Sequence, residues 1–270
     1  MTREKYIHGH APATVRHHGR RTAEEAAAFF LSELHAGMRL LDVGCGPGSI
    51  TRGLAERVAP GEVIGVDIST EILTAARQDA AARGLTNLQY QQADVYSLPF
   101  PNASFDAVFA HQVLQHLREP CAALREMLRV VRPGGLIGVR DVDWGTAAYW
   151  PADPWIDRFI QVHLETWSRN GGDPRMGRRL RGLLNDTGGV TDLQVTASVW
   201  CYATPPETLE WGESYADRIL TSTMGEHAVE YGYATRSDLE AMAAAFRAWG
   251  VHPDAFWAFI HVAARARKAE

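Results

Sequence analysis

Between residues 22 and 143, short apolar runs alternate with amphipathic stretches, and this alternation leaves few folds open to the chain. MRLLDVG (38–44), EVIGVDI (62–68), NLQYQQAD (87–94), FDAVFAHQ (105–112) and LIGVRDVD (136–143) are short and apolar enough to be buried strands. The segments between them have helical periodicity. TAEEAAAFFLSEL (22–34) opens on Thr22 with Glu25 three residues on, the pattern of a capping box. SITRGLAERV (49–58) is amphipathic, and Pro60-Gly61 follows it as a turn. STEILTAARQDAAARG (69–84) closes on Gly84, and PCAALREMLRVVRPGG (120–135) is stopped by Pro-Gly-Gly. Alternating β and α units with right-handed crossovers predict an α/β, doubly wound, mostly parallel sheet.

Beyond residue 143 the pattern loosens. PWIDRFIQVHLETW (154–167), RRLRGLLNDTG (178–188) and most of 205–249 read as helices. VTDLQVTASVWCY (190–202) reads as a long strand, and AFWAFIHVAARARK (255–268) begins as an aromatic-rich one. No linker marks a second independent domain. The late helices read as insertions gathered over the carboxyl ends of the strands, where ligands bind in open α/β sheets. The 270 residues carry a net charge of −5, with 46% hydrophobic and 22% charged residues. Nucleic-acid binding needs clustered excess Lys and Arg, so that class is set aside. RHHGRR (16–21) is a local basic patch only. Cys45, Cys121 and Cys201 are far apart and lack metal-ligand spacing, which predicts a reduced, cytoplasmic protein without disulfides. The first residues have no apolar core and no run approaches 18 apolar residues, so neither signal peptide nor membrane insertion is expected.

The chemistry begins at LLDVGCGPGSIT (40–51). A dinucleotide turn needs G-x-G-x-x-G, but Gly44, Gly46 and Gly48 give G-x-G-x-G with Ser49 at the sixth place. Pro47 lacks an N–H, so a pyrophosphate cradle would lose a donor there. The spacing fits a nucleoside better than a dinucleotide. Asp67 ends the second strand, 19 residues past Gly48, where an acid accepts hydrogen bonds from ribose hydroxyls. Ile68 and Ile72 offer apolar cover for an adenine. Asp94 would accept from the adenine amino group and the Val95 N–H would bond a ring nitrogen.

LLDVGCGPGSIT, VIGVDIS, QQADVYSLPFPNASFDAVFAHQVLQHL and RVVRPGGLIGVRD, in that order, resemble the class I S-adenosylmethionine-dependent methyltransferases. Within them they look most like the small-molecule branch that includes the ubiquinone/menaquinone-biosynthesis enzymes. The resemblance spans roughly residues 22–143. It implies a seven-stranded sheet whose last strand, here 255–262, is antiparallel. It also implies S-adenosylmethionine as cofactor, S-adenosylhomocysteine as product, and no metal. By position, Gly44, Cys45 and Gly46 match the turn under the methionine part, Asp67 the ribose acid, and Asp94 with Val95 the adenine pair. His111 matches the position after the fourth strand that lies against the cofactor. HQVLQHL departs from the commoner pattern in setting His111 beside Gln112. In related methyltransferases the segment before the sheet folds over the cofactor as a lid. Here that implies Arg21 on the methionine carboxylate and Tyr6 at the same end. One domain is then expected over 1–270: an N-terminal lid and helix (1–35), a cofactor-binding core (36–143), and helical acceptor-cap insertions (144–189 and 203–250).

Methyl transfer is an in-line displacement whose leaving group is already activated, and a general base is needed only if the acceptor must lose a proton. Candidates are His111, His116 and Asp143, with His163 and Glu213 in the inserted helices. His116, in LQHL, recurs in the family and reads first as structural. Asp141 and Asp143 end the fifth strand, and Trp144 follows. Trp144 and Glu213 are the expected acceptor contacts. The aromatic-rich insertions suit a flat quinone-, phenol- or indole-like metabolite, methylated on carbon, nitrogen or oxygen as in natural-product tailoring, and aromatic faces attract a sulfonium methyl. Histidines 8, 10, 17 and 18 lack the partners that would complete a metal site. A homodimer is compatible with the inserted helices. Two other readings are an NAD(P)-dependent oxidoreductase and a non-catalytic S-adenosylmethionine-binding protein. The glycine spacing with Asp94-Val95 disfavours the first, and the intact motifs disfavour the second.

Overall fold

Residues 21–270 are described by a computed structural model. Its strands are β1 (Leu40–Val43), β2 (Val63–Asp67), β3 (Leu88–Gln92), β4 (Phe105–His111), β5 (Val131–Trp150), β6 (Val190–Tyr202) and β7 (Phe256–Lys268). They form one sheet in the order β3-β2-β1-β4-β5-β7-β6. β1 to β5 run parallel, and β7 lies antiparallel between β5 and β6. The strand order reverses at β1, with β2 on one side and β4 on the other. A crevice must therefore open at the carboxyl ends of β1 and β4. The expected doubly wound sheet with an antiparallel last strand is the one formed.

Side chains alternate across β4. Ala107 and Phe109 pack on one face, Val108 and Ala110 on the other, and all are buried. The first face is covered by α1 (Ala23–Ala26), α2 (Ala28–Leu31), α3 (Ser49–Val58) and α4 (Thr70–Ala82) through Phe30, Leu54, Val58 and Leu73. The second is covered by α5 (Pro120–Val130) and α7 (Leu180–Thr187) through Leu124, Met127 and Leu184. A third cluster lies over the carboxyl ends of the strands. There α6 (Pro154–Arg169), α8 (Pro205–Thr221), α9 (Thr223–Glu230) and α10 (Arg236–Gly250) enclose Trp144, Trp257 and Phe259. No helix among the described residues is long and apolar enough to cross a membrane.

Four boundaries differ from those expected, the first being that β5, expected to end at Asp143, runs on to Trp150. The helix expected over 22–34 is broken at Ala27, whose φ of −123° and ψ of 12° leave the helical region. Thr22 still caps it, accepting from the Glu25 N–H at 3.3 Å. The break turns Phe30 onto the sheet against Phe109, with ring centroids 5.3 Å apart. The helix expected to reach Pro-Gly-Gly ends at Val130. Residues 132–135 instead bulge out of β5 between the pairs Phe105–Val131 and Ala107–Leu136. The last strand continues past 262 to Lys268, because β5 and β6 pair with it from both sides.

Gly138 of β5 sits directly under Phe30: a β-carbon there would meet the ring at 2.3 Å. Replacing Gly138 with Ala is expected to cost about 1–3 kcal/mol of stability by overpacking. In chemical denaturation this reads as a lower midpoint at unchanged slope.

Candidate active site

The turn after β1 opens the crevice. Gly44, Gly46 and Gly48 all have positive φ, at 69°, 52° and 78°. A β-carbon on Gly44 would strike Val113 at 2.4 Å and one on Gly48 the Tyr90 hydroxyl at 2.0 Å, whereas above Gly46 the space is open. Two of the glycines therefore let the backbone close against its neighbours, and the third bares it to the crevice. Asp67, half-buried at the end of β2, accepts from the Gly46 N–H through Oδ2 and from the Ser69 N–H through Oδ1, each at 3.0 Å. It joins the turn to the start of α4, and a carboxylate with about four acceptor directions keeps capacity for hydroxyls.

The apolar and polar groups beside Asp67 suit a purine. Ile68 is 45% exposed, an unusual position for a large aliphatic side chain, and Ile72 is half-buried one helical turn on. β3 ends at Gln92, so Asp94 and Val95 lie in the turn just past it. Asp94 is exposed, and its Oδ1 accepts from the Tyr96 N–H at 3.0 Å, which orients the carboxylate. A baring glycine, a ribose-type acid, an exposed aliphatic and an oriented carboxylate thus follow one another along the strand ends. This donor and acceptor set fits S-adenosylmethionine.

The sequence reading passed over one acid beneath this site. Asp42, in β1, is 2% exposed, and the Thr51 hydroxyl donates to it at 2.7 Å. Burial pushes its carboxyl from the ordinary 3.8 to about 7. The available signal was a charged residue inside the apolar run LLDV.

Beyond β4 the site becomes aromatic. A narrow cleft is walled by Trp144 of β5, Phe259 of β7, Trp200 and Tyr202 of β6, and Trp211 and Tyr215 of α8. Its interior volume is about 30 Å³, within about 330 Å³ of open space that includes the mouth. Gln112, next after β4 and at φ 56°, lines it and bonds ring Nε2 of His261 at 2.9 Å. Arg21 and Arg218 supply the charge.

Trp144 lines this cleft. Glu213 does not: it is exposed and pairs with Arg247 at 3.1 Å. The reason is helical phase. Trp211, Tyr215 and Arg218, at i, i+4 and i+7, share the face of α8 that looks at the cleft, and Glu213 lies on another. That stripe was the signal for Arg218. Asp143 is 2% exposed and forked by Arg178, and it also accepts the Gly145 N–H at 3.0 Å. His111 is buried with its ring 6.0 Å from that of Trp200, and no described group bonds its Nε2. His116 stacks on Trp167 at 5.0 Å and bonds the Gln115 amide at 3.2 Å. His163 is buried between Phe159 and Trp144.

Burial, reinforced by nearby arginines, holds these rings neutral. His111 lies well below its ordinary range, and His116 and His163 at about 3. Buried Asp141, whose Oδ1 accepts from the Gln115 N–H at 3.1 Å, is raised well above the carboxylate range. Arg21 lies with its guanidinium 5.4 Å from the Trp200 ring centroid. Tyr6, the lid and histidines 8, 10, 17 and 18 fall outside the described residues. Among the described residues no three His, Cys, Asp or Glu side chains gather closely enough to hold a metal ion.

Two measurements check this site. Replacing Asp67 with Ala removes a charged acceptor worth about 1.5–3 kcal/mol. Affinity for S-adenosylhomocysteine is expected to fall roughly 10- to 100-fold in calorimetry. For Asp42, the folded state binds its proton more tightly than the unfolded chain does, so the stabilisation is full below about pH 4 and is lost as pH rises to about 7. Asp42→Asn is expected to flatten that part of the pH–stability curve.

Comparison with known proteins agrees with the geometry. Residues 41–139 match a family model described as "Methyltransferase domain". An uncharacterized methyltransferase of Schizosaccharomyces pombe, C1B3.06c, is 37% identical over 213 residues, 76% of each chain. The ubiquinone/menaquinone biosynthesis C-methyltransferase UbiE of Ectopseudomonas mendocina is 41% identical over 107 residues, covering 39% of this chain and 42% of its own. The crystal structure of YcgJ from Bacillus subtilis shares the fold with a TM-score of 0.61 at 20% identity, covering 91% of this chain and 98% of its own. With the nucleoside-type turn, the strand-end acids and the sheet order already in place, the chain belongs to the S-adenosylmethionine-dependent methyltransferases.

Proposed function

We propose that the enzyme methylates a small aromatic metabolite, a phenol-, quinone- or indole-like ring, seated in the cleft between the end of β4 and α8. The observation that carries this reading is the aromatic wall itself. Six aromatic side chains surround a narrow slot next to Gln112, where the crevice of β1 and β4 meets the inserted helices. Flat rings stack well in such a slot, and indole faces attract a positively charged methyl donor.

The cofactor, when bound, supplies an electrophilic methyl on a positively charged sulfur, which leaves as a neutral thioether. The chain's part is mainly placement. Asp67 takes the ribose hydroxyls; Asp94 and the Val95 N–H take the adenine edge, under Ile68 and Ile72. Gly44, Cys45 and Gly46 form the floor under the methionine portion, with Arg21 and Tyr6 assigned to its carboxylate. The aromatic walls hold the ring in line with the methyl and keep water out. A neutral acceptor would give up one proton for each methyl it receives, so what the chain must supply is alignment of the acceptor and a route for that proton.

His111, His116 and Asp143 are the candidate bases, with His116 reading first as structural. Their surroundings favour positioning instead: both imidazoles resist protonation, and Asp143 is held in the fork of Arg178. We assign His111 and His116 to shaping the crevice, and the acceptor's proton to solvent.

Incubation with methyl-labelled cofactor and a metabolite extract, followed by mass spectrometry, tests the function. The expected product is a labelled aromatic small molecule formed in equal amount with S-adenosylhomocysteine. Label found only on protein or RNA overturns the reading. Cofactor binding without any transfer would favour a non-catalytic binding protein. Because the histidine rings stay neutral down to about pH 4, kcat/KM is expected to show no histidine inflection between pH 6 and 7.5.

A further inference from the structure

The two edges of the sheet are finished differently. At one, β3 is five residues long. Its Asn87 carbonyl bonds the Val63 N–H of β2, so strand alternation turns the Tyr90 carbonyl outward. Arg77 of α4 donates to that carbonyl from two of its nitrogens, at 3.2 and 2.9 Å. A side chain thus fills the place that another strand would take. At the other edge, β6 runs for 13 residues with β7 on its inner side and no described strand on its outer side. A register shift between Thr191 and Gln194 interrupts its start, where Asp192 sits at φ 53°. From 194 to 202, QVTASVWCY, the strand has no charge, no proline and no bulge. Those are the devices by which natural edge strands avoid pairing with other chains.

The side chains agree with the open edge. Val195, Ala197, Val199 and Cys201 share one face of β6 and all are exposed, Val199 at 61%. They continue onto half-buried Val262 and Ile260 of β7, which pair with Ala197 and Val199. The core cluster beneath α7 takes in Val190 and Leu193 of β6 and none of these four. An uncharged edge flanked by apolar side chains is a surface for another β-strand. The partner it fits is its own copy. A two-fold axis at Ser198 pairs 194–202 with itself in full and antiparallel, and one closed dimer consumes both open edges. Val199 of one protomer then opposes Ala197 of its partner, Cys201 opposes Val195 and Trp200 opposes Thr196, so no like charges meet. Pairing of β6 with β3 of a second copy would run on into an open fibre, and Arg77 stands in its way.

We propose that the protein forms a two-fold dimer through antiparallel pairing of β6 with β6, centred on Ser198. The seam is about 30 Å long and one strand deep. That is small for a specific interface, so the dimer is expected to be weak, with a Kd on the order of micromolar. Trp200 and Tyr202, which wall the aromatic cleft, belong to the same strand, so the two clefts of a dimer flank one seam. Pairing of this kind is independent of which acceptor the cleft takes.

Sedimentation equilibrium of the full chain between roughly 1 and 100 μM tests it. A monomer–dimer equilibrium is expected. Val199→Lys and Val199→Glu each bring two like charges together beside the axis, and each is expected to weaken the dimer about tenfold or more. Mixed in equal amounts, the two variants place opposite charges across the seam, and the dimer is expected to return. Affinity of each variant for S-adenosylhomocysteine is expected to stay within about twofold, since an exposed side chain outside the cofactor crevice is exchanged. The same pair of exchanges at Ala197, on the same face, gives a second reading if either variant at 199 misfolds. A monomer throughout that range overturns the proposal, whether solvent or another segment of the chain takes the edge. So does a dimer that is unchanged in both single variants, or a mixture of the two that stays monomeric.

Discussion

The carboxylate of Asp67 is the joint on which the cofactor side of this molecule turns. One oxygen holds the Gly46 N–H and the other the N–H that opens α4, so a single side chain ties the glycine turn to the next strand–helix unit. The turn must be tight for this to happen. Gly44 presses against Val113 and Gly48 against Tyr90 so closely that no β-carbon fits, and both sit at positive φ. Sheet order then makes the joint functional. Because β1 lies between β2 and β4, the turn, Asp67 and the end of β4 meet around one crevice.

The aromatic cleft is built differently. No short motif makes it; it arises where β5, β6, β7 and α8 converge, each contributing one or two aromatic side chains to a common slot. Trp144 touches His163, Tyr215 and Phe259 at ring distances of 4.8 to 5.7 Å. These contacts bury the side chains around the cleft, and burial holds the nearby imidazoles neutral.

Charge is handled by pairing or by aromatic faces. Asp143, buried within β5, is satisfied by Arg178 and a backbone N–H. Arg140, 3% exposed, donates to Ser198 at 2.8 Å and lies 5.2 Å from the Trp200 centroid.

Local sequence determined the parallel sheet, the glycine turn, and the places of Asp67 at the end of β2 and of Asp94 and Val95 just past β3, because each rests on contiguous residues: an apolar run, a glycine spacing, an acid at a strand end. It also determined the helices within 154–188 and 205–249 and the long strand at 190–202. What it left undecided were features set by distant partners. Phe30 meets Gly138 only because the first helix breaks at Ala27. Asp143 is committed to Arg178, 35 residues away. Glu213, read as an acceptor contact, points elsewhere because the phase of α8 was set by the cluster around Trp257 and Phe246. Arg218 joins the cleft for that same reason. Tertiary structure alone decided which charges face the slot, since a helix's buried face is chosen by everything it packs against.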